Sequence, residues 1–319
     1  MYSIKDYFNF ANEIYQSRGF SGVYNEGTSY LYESVLRQLG PIFGQDSEYV
    51  LDKEWDVLII LDACRVDLLE EVAEEYPFIE TPPHDKIWSA DSYSEGWLKK
   101  NFTGKQSVKH RKRMNNLVHV SGNPFTNSMF SDDQFQVLDE VWKYGWDDED
   151  GYLPPDVVTD RAISLHREES PNQMLVHYMQ PHAPFISDNA TDYHIDINHF
   201  ESPKGTVQQR TPWELLRDGE ITHDELWSAY KDTLRVVLDS VETLLHSIDA
   251  ERVVISADHG NAVGEWNIYG HPRNLPIPAL REVPWVVTSA NDNQEYTPDV
   301  HNKEVTEDIE EKLSALGYK

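Results

Sequence analysis

The chain has 319 residues, with 56 acidic against 27 basic side chains and a formal net charge of −29. The length is ample for a large hydrophobic core. The charge argues against a nucleic-acid partner, since phosphate contact needs a basic face, and 9 Trp, 17 Tyr and 11 Phe argue against a disordered chain.

Residues 1–50 mix aromatics (Phe8, Phe10, Tyr15, Phe20) with charges and read as an N-terminal helical extension; residues 51–319 read as a single α/β domain. Near-continuous apolar runs at 55–61, 116–120, 174–178, 252–255 and 284–287 predict buried strands of a mostly parallel sheet, because both faces of such strands are covered. Helical patterns lie between them. The clearest runs over about 224–248 and starts with Thr222-x-x-Glu225, a capping box. Strands alternating with helices imply an α/β fold with a mostly parallel central sheet sandwiched by helices. The polar, irregular stretch 186–220, with Pro203, Gly205 and Pro212, is a candidate lid insertion. Val305, Ile309, Leu313 and Leu316 share one face of a terminal helix.

The single cysteine, Cys64, excludes an internal disulfide. No segment approaches the roughly 18 apolar residues of a membrane span, and none at the start has signal-peptide character. The expectation is a soluble cytoplasmic protein with no transmembrane segment and an open oligomeric state. An acidic surface on an aromatic-rich chain resembles proteins of salt-loving archaea, where salt screens carboxylate repulsion. A halophilic, haloarchaeal source is therefore expected, with a generally acidic mesophilic protein as the alternative.

Ligands of open parallel sheets bind beyond the carboxyl ends of the strands. After the first run comes Asp62-Ala63-Cys64-Arg65, after the third Gln180-Pro181-His182-Ala183-Pro184, after the fourth Asp258-His259-Gly260. Each residue has a plain reading, since a strand-end Asp is often a helix cap. Together, three strand ends carrying Asp, His and Asp-His form a set suited to a divalent ion such as Zn or Mn. His177 lies inside an apolar run and reads as a core histidine. Arg65 reads either as a bidentate phosphoryl clamp or as a salt-bridge partner of Asp67 or Glu70.

Leu61-Asp62, Pro181-His182-Ala183-Pro184, Ala257-Asp258-His259-Gly260-Asn261-x-x-Gly264-Glu265, Gly270-His271-Pro272 and Val283-Pro284-Trp285 occur in the order and approximate spacing of the sulfatase-like, phosphoglycerol-transferase-like branch of the alkaline phosphatase superfamily. The chain resembles that branch over residues 55–290. The resemblance implies an alkaline-phosphatase/sulfatase-like fold and one divalent ion (Mn, Zn, Mg or Ca) held by Asp62, Asp258 and His259, with the nucleophilic hydroxyl as a further ligand. It also implies a nucleophile in 88–97. The segment resembles that of lipoteichoic-acid-synthase-like transferases, in which an aromatic follows the nucleophilic hydroxyl by five residues; the resemblance implies Ser92, with Trp97 as the aromatic, and Ser94 second. The plain alternative is that these serines cap a helix starting near Glu95. A formylglycine motif, Cys/Ser-x-Pro-Ser-Arg, is absent around Cys64, which points to phosphate rather than sulfate esters.

By the same resemblance, His182 donates to the leaving oxygen or binds phosphoryl oxygens. His271 binds substrate or a second ion, and Glu265 braces its loop. Residues Lys99, Lys100, Lys105, Lys109, Arg111, Lys112 and Arg113 form a basic cluster, read as a solvated surface or as an attractor of a polyanionic substrate. The implied function is a metal-dependent phosphoester hydrolase or phosphotransferase with a seryl-phosphate intermediate, acting on anionic surface-glycan or lipid-headgroup esters. The alternatives are a sulfatase without formylglycine and a non-catalytic member that binds an anionic glycan.

Overall fold

The computed structural model describes residues 4–43, 46–79, 85–127, 129–131, 133–147, 151–186, 211–299 and 301. The terminal helix expected at 305–316 and residues 187–210 of the candidate lid lie outside them. In chain order the elements are α1 (Ile4–Phe43), β1 (Val57–Leu61), α2 (Val66–Val72), β2 (Asp85–Trp88), α3 (Ser94–Phe102), α4 (Gly104–Met114), β3 (Leu117–Ser121), β4 (Val137–Glu140), α5 (Pro155–Glu169), β5 (Gln173–Tyr178), α6 (Pro212–Arg217), α7 (His223–Leu245), β6 (Ala250–Ser256), β7 (Ala262–Val263), β8 (Tyr269–Gly270), α8 (Pro278–Arg281) and β9 (Glu282–Ala290). Among the described residues, no helix is long and apolar enough to cross a membrane.

The central sheet has the order β2-β9-β6-β1-β5-β3-β4. The strands from β6 to β4 are parallel. β9 runs antiparallel to both β6 and β2. All five apolar runs form strands, and the orientation of the last is what apolarity alone does not encode. Its burial also differs: Val283–Val286 is covered, while the second half of β9 emerges at the surface. β1 and β3 are buried along their whole length, as strands covered on both faces must be.

The long α7 begins at the expected capping box. Thr222 Oγ1 accepts from Glu225 N, and Glu225 Oε2 accepts from Thr222 N at 2.7 Å. Its apolar stripe, from Leu226 through Leu234 and Leu238 to Leu245, is buried. α1 breaks at Gly19, where φ is +65°, a conformation that favours glycine. Beyond the break, Leu36 packs with Ala262, Ile268, Leu275, Ile277 and Leu280. Ser29 Oγ and Arg37 Nε donate to the Asn267 and Arg273 carbonyls. The second half of α1 therefore stands against the 262–280 segment.

The strand order decides where chemistry can gather. β1 lies between β5 and β6, and β3 follows β5. In register, Leu61 faces Tyr178, Ile60 faces Ser256, and Ser121 faces His177. The residues just past these strands emerge side by side at one edge, which is the ligand edge of a sheet whose chain order reverses at β1.

Candidate active site

Asp62 leaves the end of β1, Asp258 and His259 the end of β6, Asn123 the end of β3, and His182 the end of β5. Asp62, Asp258, His259 and Asn123 are fully buried, and His182 is nearly so. Ser94 reaches them from the first turn of α3. Its Oγ donates to Asp62 Oδ2 at 3.1 Å and lies 3.2 Å from His259 Nε2. The helix start is tightly packed: a side chain at Gly96 would overlap the Asp91 carboxylate and the Tyr93 ring.

Each carboxylate is held by one oxygen and bare at the other. Asp62 Oδ2 accepts from Ser94 and from Asn123 Nδ2 at 3.0 Å. Asp258 Oδ1 accepts from Ala63 N and His259 N. Asp62 Oδ1 and Asp258 Oδ2 are buried with no hydrogen-bond partner. Both lie 3.6 Å from His259 Nε2. The His259 Nδ1 stands 3.0 Å from the Gly260 carbonyl. A carbonyl can only accept, so Nδ1 carries a proton and, in the neutral ring, Nε2 offers a lone pair on the side of the two bare oxygens. An imidazole pinned in this tautomer by a backbone carbonyl is the usual arrangement of a metal ligand. His177 adds a further candidate: Asp62, His177 and Asp258 each present a ligand atom within 4.8 Å of the others. The donor set thus fits a divalent cation.

Burial, and then the charge of Asp258, push Asp62 well above the usual carboxylate range. Against the same burial, His259 and His177 hold Asp258 below it. A cation in this space would relieve the repulsion that these opposite shifts express. Ser89 Oγ donates to the Asp258 carbonyl, and Tyr230 Oη donates to the Ala63 carbonyl, bracing the backbone of both ligand turns.

On the other side of His259 stand His182 and His271, with ring centroids 4.7 Å apart for His259–His271 and 5.0 Å for His182–His271. His182 Nδ1 donates to the Ala183 carbonyl at 2.6 Å, which leaves its Nε2 to accept from His271 Nε2 at 2.9 Å. Burial pushes His182 down to about 4. His271 is partly exposed and marks where the cluster reaches solvent.

Two expected site residues are placed differently. Ser92 is buried, but its Oγ donates to the Pro272 carbonyl at 2.8 Å and accepts from Leu275 N at 3.2 Å. It ties the 272–275 segment down, while Ser94 meets Asp62 and His259. Neither serine caps α3, whose N-cap is Tyr93 with no side-chain bond. Arg65 does not present a free fork to an anion. Nε and Nη2 bind Asp67 at 2.8 and 2.6 Å, and Nη1 binds the Asn261 carbonyl and Glu265 at 2.6 and 2.7 Å. Arg65 is therefore the clasp of the 261–265 turn. Glu265 braces that turn, also accepting from Val263 N at 2.6 Å. In the basic cluster, Lys100 is engaged by Asp91 and Arg113 by Gln173 and the Leu51 and Lys53 carbonyls.

Asn123 was not singled out from sequence, and His177, read there as a core histidine, is buried but has neither ring nitrogen hydrogen-bonded. Reading past the second apolar run, as past the others, reaches Ser121-Gly122-Asn123 and would have found the first. His177 carries no local signal beyond being a polar residue in a buried strand.

No known protein-family model matches the chain, and no curated protein matches it. Solved structures do. The integral membrane lipooligosaccharide phosphoethanolamine transferase A from Neisseria meningitidis is 10% identical, with a TM-score of 0.49, covering 99% of this chain and 64% of its own. The chain thus spans under two thirds of that protein. The C-terminal periplasmic domain of EcEptC from Escherichia coli, in complex with Zn, is 12% identical with a TM-score of 0.47, covering 81% of each chain. A 2-O GAG sulfatase is 11% identical with a TM-score of 0.40, covering 73% of this chain and 63% of its own.

Proposed function

We propose that the protein is a metal-dependent phosphoester transferase or hydrolase in which Ser94 is the nucleophile. One observation carries the reading: a buried serine hydroxyl at a helix start lies 3.1 Å from Asp62 and 3.2 Å from His259, beside two buried carboxylate oxygens that have no partner. A divalent ion held by Asp62, Asp258 and His259 would lower the pKa of the serine hydroxyl and neutralise phosphoryl charge.

The chain's own residues supply the rest. Asp62 Oδ2 and His259 Nε2 orient the Ser94 hydroxyl, and Asn123 fixes the Asp62 carboxylate so that its other oxygen faces the centre. The N-terminus of α3 favours an anion placed against it. Ser94 Oγ, passing its proton toward Asp62 Oδ2, forms a bond to phosphorus as the bond between phosphorus and the ester oxygen breaks, giving a seryl phosphate. Water or an acceptor hydroxyl then attacks the same phosphorus and releases Ser94. The imidazoles of His182 and His271 line the same space. Phosphate is favoured over sulfate because Ser94-Glu95-Gly96-Trp97-Leu98 lacks the formylglycine motif. The substrate class, a surface-glycan or lipid-headgroup phosphoester, rests on the motif resemblance alone.

Aryl phosphate and aryl sulfate assayed side by side, with and without Mn²⁺ or Zn²⁺, test the reading. Metal-dependent phosphate turnover that Ser94→Ala abolishes is the expected result. Faster sulfate turnover, or turnover indifferent to metal, sinks it.

A further inference from the structure

Beneath the two carboxylates, β5 carries His177 on the face covered by α3, where Trp97 meets its ring edge-on at 5.7 Å. The ring is fully buried, and neither Nδ1 nor Nε2 has a hydrogen-bond partner. A buried polar group left without a partner is destabilising, so an apolar side chain would serve packing better.

His119 on β3 is a useful contrast. It is also buried with both nitrogens unpartnered. Its surroundings are aromatic: Phe102, Phe130 and Phe135 stand 6.1, 6.4 and 5.3 Å from it. His177 instead has Nε2 at 3.8 Å from Asp258 Oδ2. That is too long for a hydrogen bond, and the oxygen it faces is itself unpartnered. With Asp62 it completes a set of ligand atoms mutually within 4.8 Å. Ligand atoms of one tetrahedral zinc-like ion, at bond lengths of about 2.0–2.2 Å, stand about 3.5 Å apart. The 3.8 Å between His177 Nε2 and Asp258 Oδ2 is close to that spacing, and the wider set would draw in around an ion.

We propose that His177 is a direct ligand of the same divalent ion, making the centre a two-carboxylate, two-imidazole site rather than the Asp-Asp-His set that the family resemblance implies. The proposal rests on the metal-dependent reading above. It has a consequence for ion choice, since two imidazoles favour Zn²⁺ or Co²⁺ over Ca²⁺, Mg²⁺ and Mn²⁺, which prefer oxygen shells.

The test uses the full chain stripped of metal and titrated with Co²⁺, followed by visible absorption and thermal melting. His177→Gln is expected to change the position and intensity of the cobalt bands at saturation. It should weaken binding by more than the roughly 10–100-fold typical of a residue that only supports a ligand. The metal-free melting temperature should not fall, and His119→Gln should keep the wild-type spectrum. A wild-type spectrum in His177→Gln at saturation overturns the proposal whatever the affinity. If Asp258→Asn loses cobalt while His177→Gln is unchanged, the proposal fails and the metal-dependent reading stands. If the wild type takes up no cobalt, both fail. X-ray absorption of the zinc-loaded wild type needs no variant: scattering from two imidazoles is expected, and a single ring overturns the proposal.

Discussion

At the amino ends of β1, β5 and β6, polar groups mostly close on one another, although Arg113 Nη2 is buried without a partner. Arg113 donates to Gln173 and to the Leu51 and Lys53 carbonyls, Gln173 donates to the Trp55 carbonyl, and Arg252 N donates to Asp56. At the carboxyl ends of the same strands, Asp62 Oδ1, Asp258 Oδ2, Gln180 Oε1, Asn261 Oδ1 and both nitrogens of His177 are buried and bare. Buried polar atoms are normally paired. A concentration of unpaired ones at the ligand edge marks groups arranged for something other than the fold. The amino end stabilises the sheet, and the carboxyl end gives up stability to keep donor atoms open.

The strongest way to break this contrast is at the serines. Ser94→Ala should reduce turnover by about 10³-fold or more, as removal of a nucleophile does, with the fold intact by circular dichroism. Ser92→Ala should lose only about 1 kcal/mol of stability through its hydrogen bonds, and its turnover should stay within about tenfold of wild type. Equal losses in the two variants would contradict the placement of Ser94.

The carboxylates come next. Asp62→Asn should raise the stability of the metal-free protein, because it removes a buried charge beside Asp258. It should also abolish the gain on adding metal, about 2.7 kcal/mol when the ion is at 100 times its dissociation constant. Denaturant melts with and without metal read both effects. A metal-free protein destabilised by Asp62→Asn would show that the carboxylate serves the fold instead.

Asn123 sharpens the comparison at smaller scale. It touches Asp62 and not the bare oxygens, so Asn123→Ala should lower kcat by about 10–100-fold with KM little changed. A rise in KM alone would place Asn123 on the substrate.

The smallest effect separates the aromatic pocket from the site. Burial pushes His119 from 6.5 down to about 3. The unfolded chain therefore binds the extra proton between those values, and stability falls as pH drops from about 6.5 toward 3, by up to about 1.4 kcal/mol per pH unit. His119→Phe should flatten this slope, though not remove it, since His177 is pushed down to about 4 by the same cause. An unchanged slope in denaturant melts at pH 4–7 would contradict the assignment.

Much of the architecture is legible in the chain because it is local. Each apolar run is a strand, and the Thr222–Glu225 box starts α7 as its spacing requires. Asp62, His182, Asp258 and His259 were legible because a parallel sheet delivers strand ends to one edge. What stayed hidden depends on distant partners. The Arg65–Asp67 bridge was legible as one of two readings and is present, while the bonds of Arg65 to Asn261 and Glu265, about 200 residues away, were not. The choice between Ser92 and Ser94 turns on the 272–275 segment occupying one of them, which a spacing to Trp97 does not register. β9 is antiparallel through pairing, and its composition matches that of the parallel strands.

The central claim is that a phosphoryl group passes through Ser94. Rapid acid quench of the metal-loaded protein with an aryl phosphate, followed by peptide mass spectrometry, tests it most directly. A phosphorylated peptide with the modification on Ser94 is expected. Modification of Ser92 or of any residue outside α3, or turnover through a Ser94→Ala variant that still accumulates phosphopeptide, would contradict it.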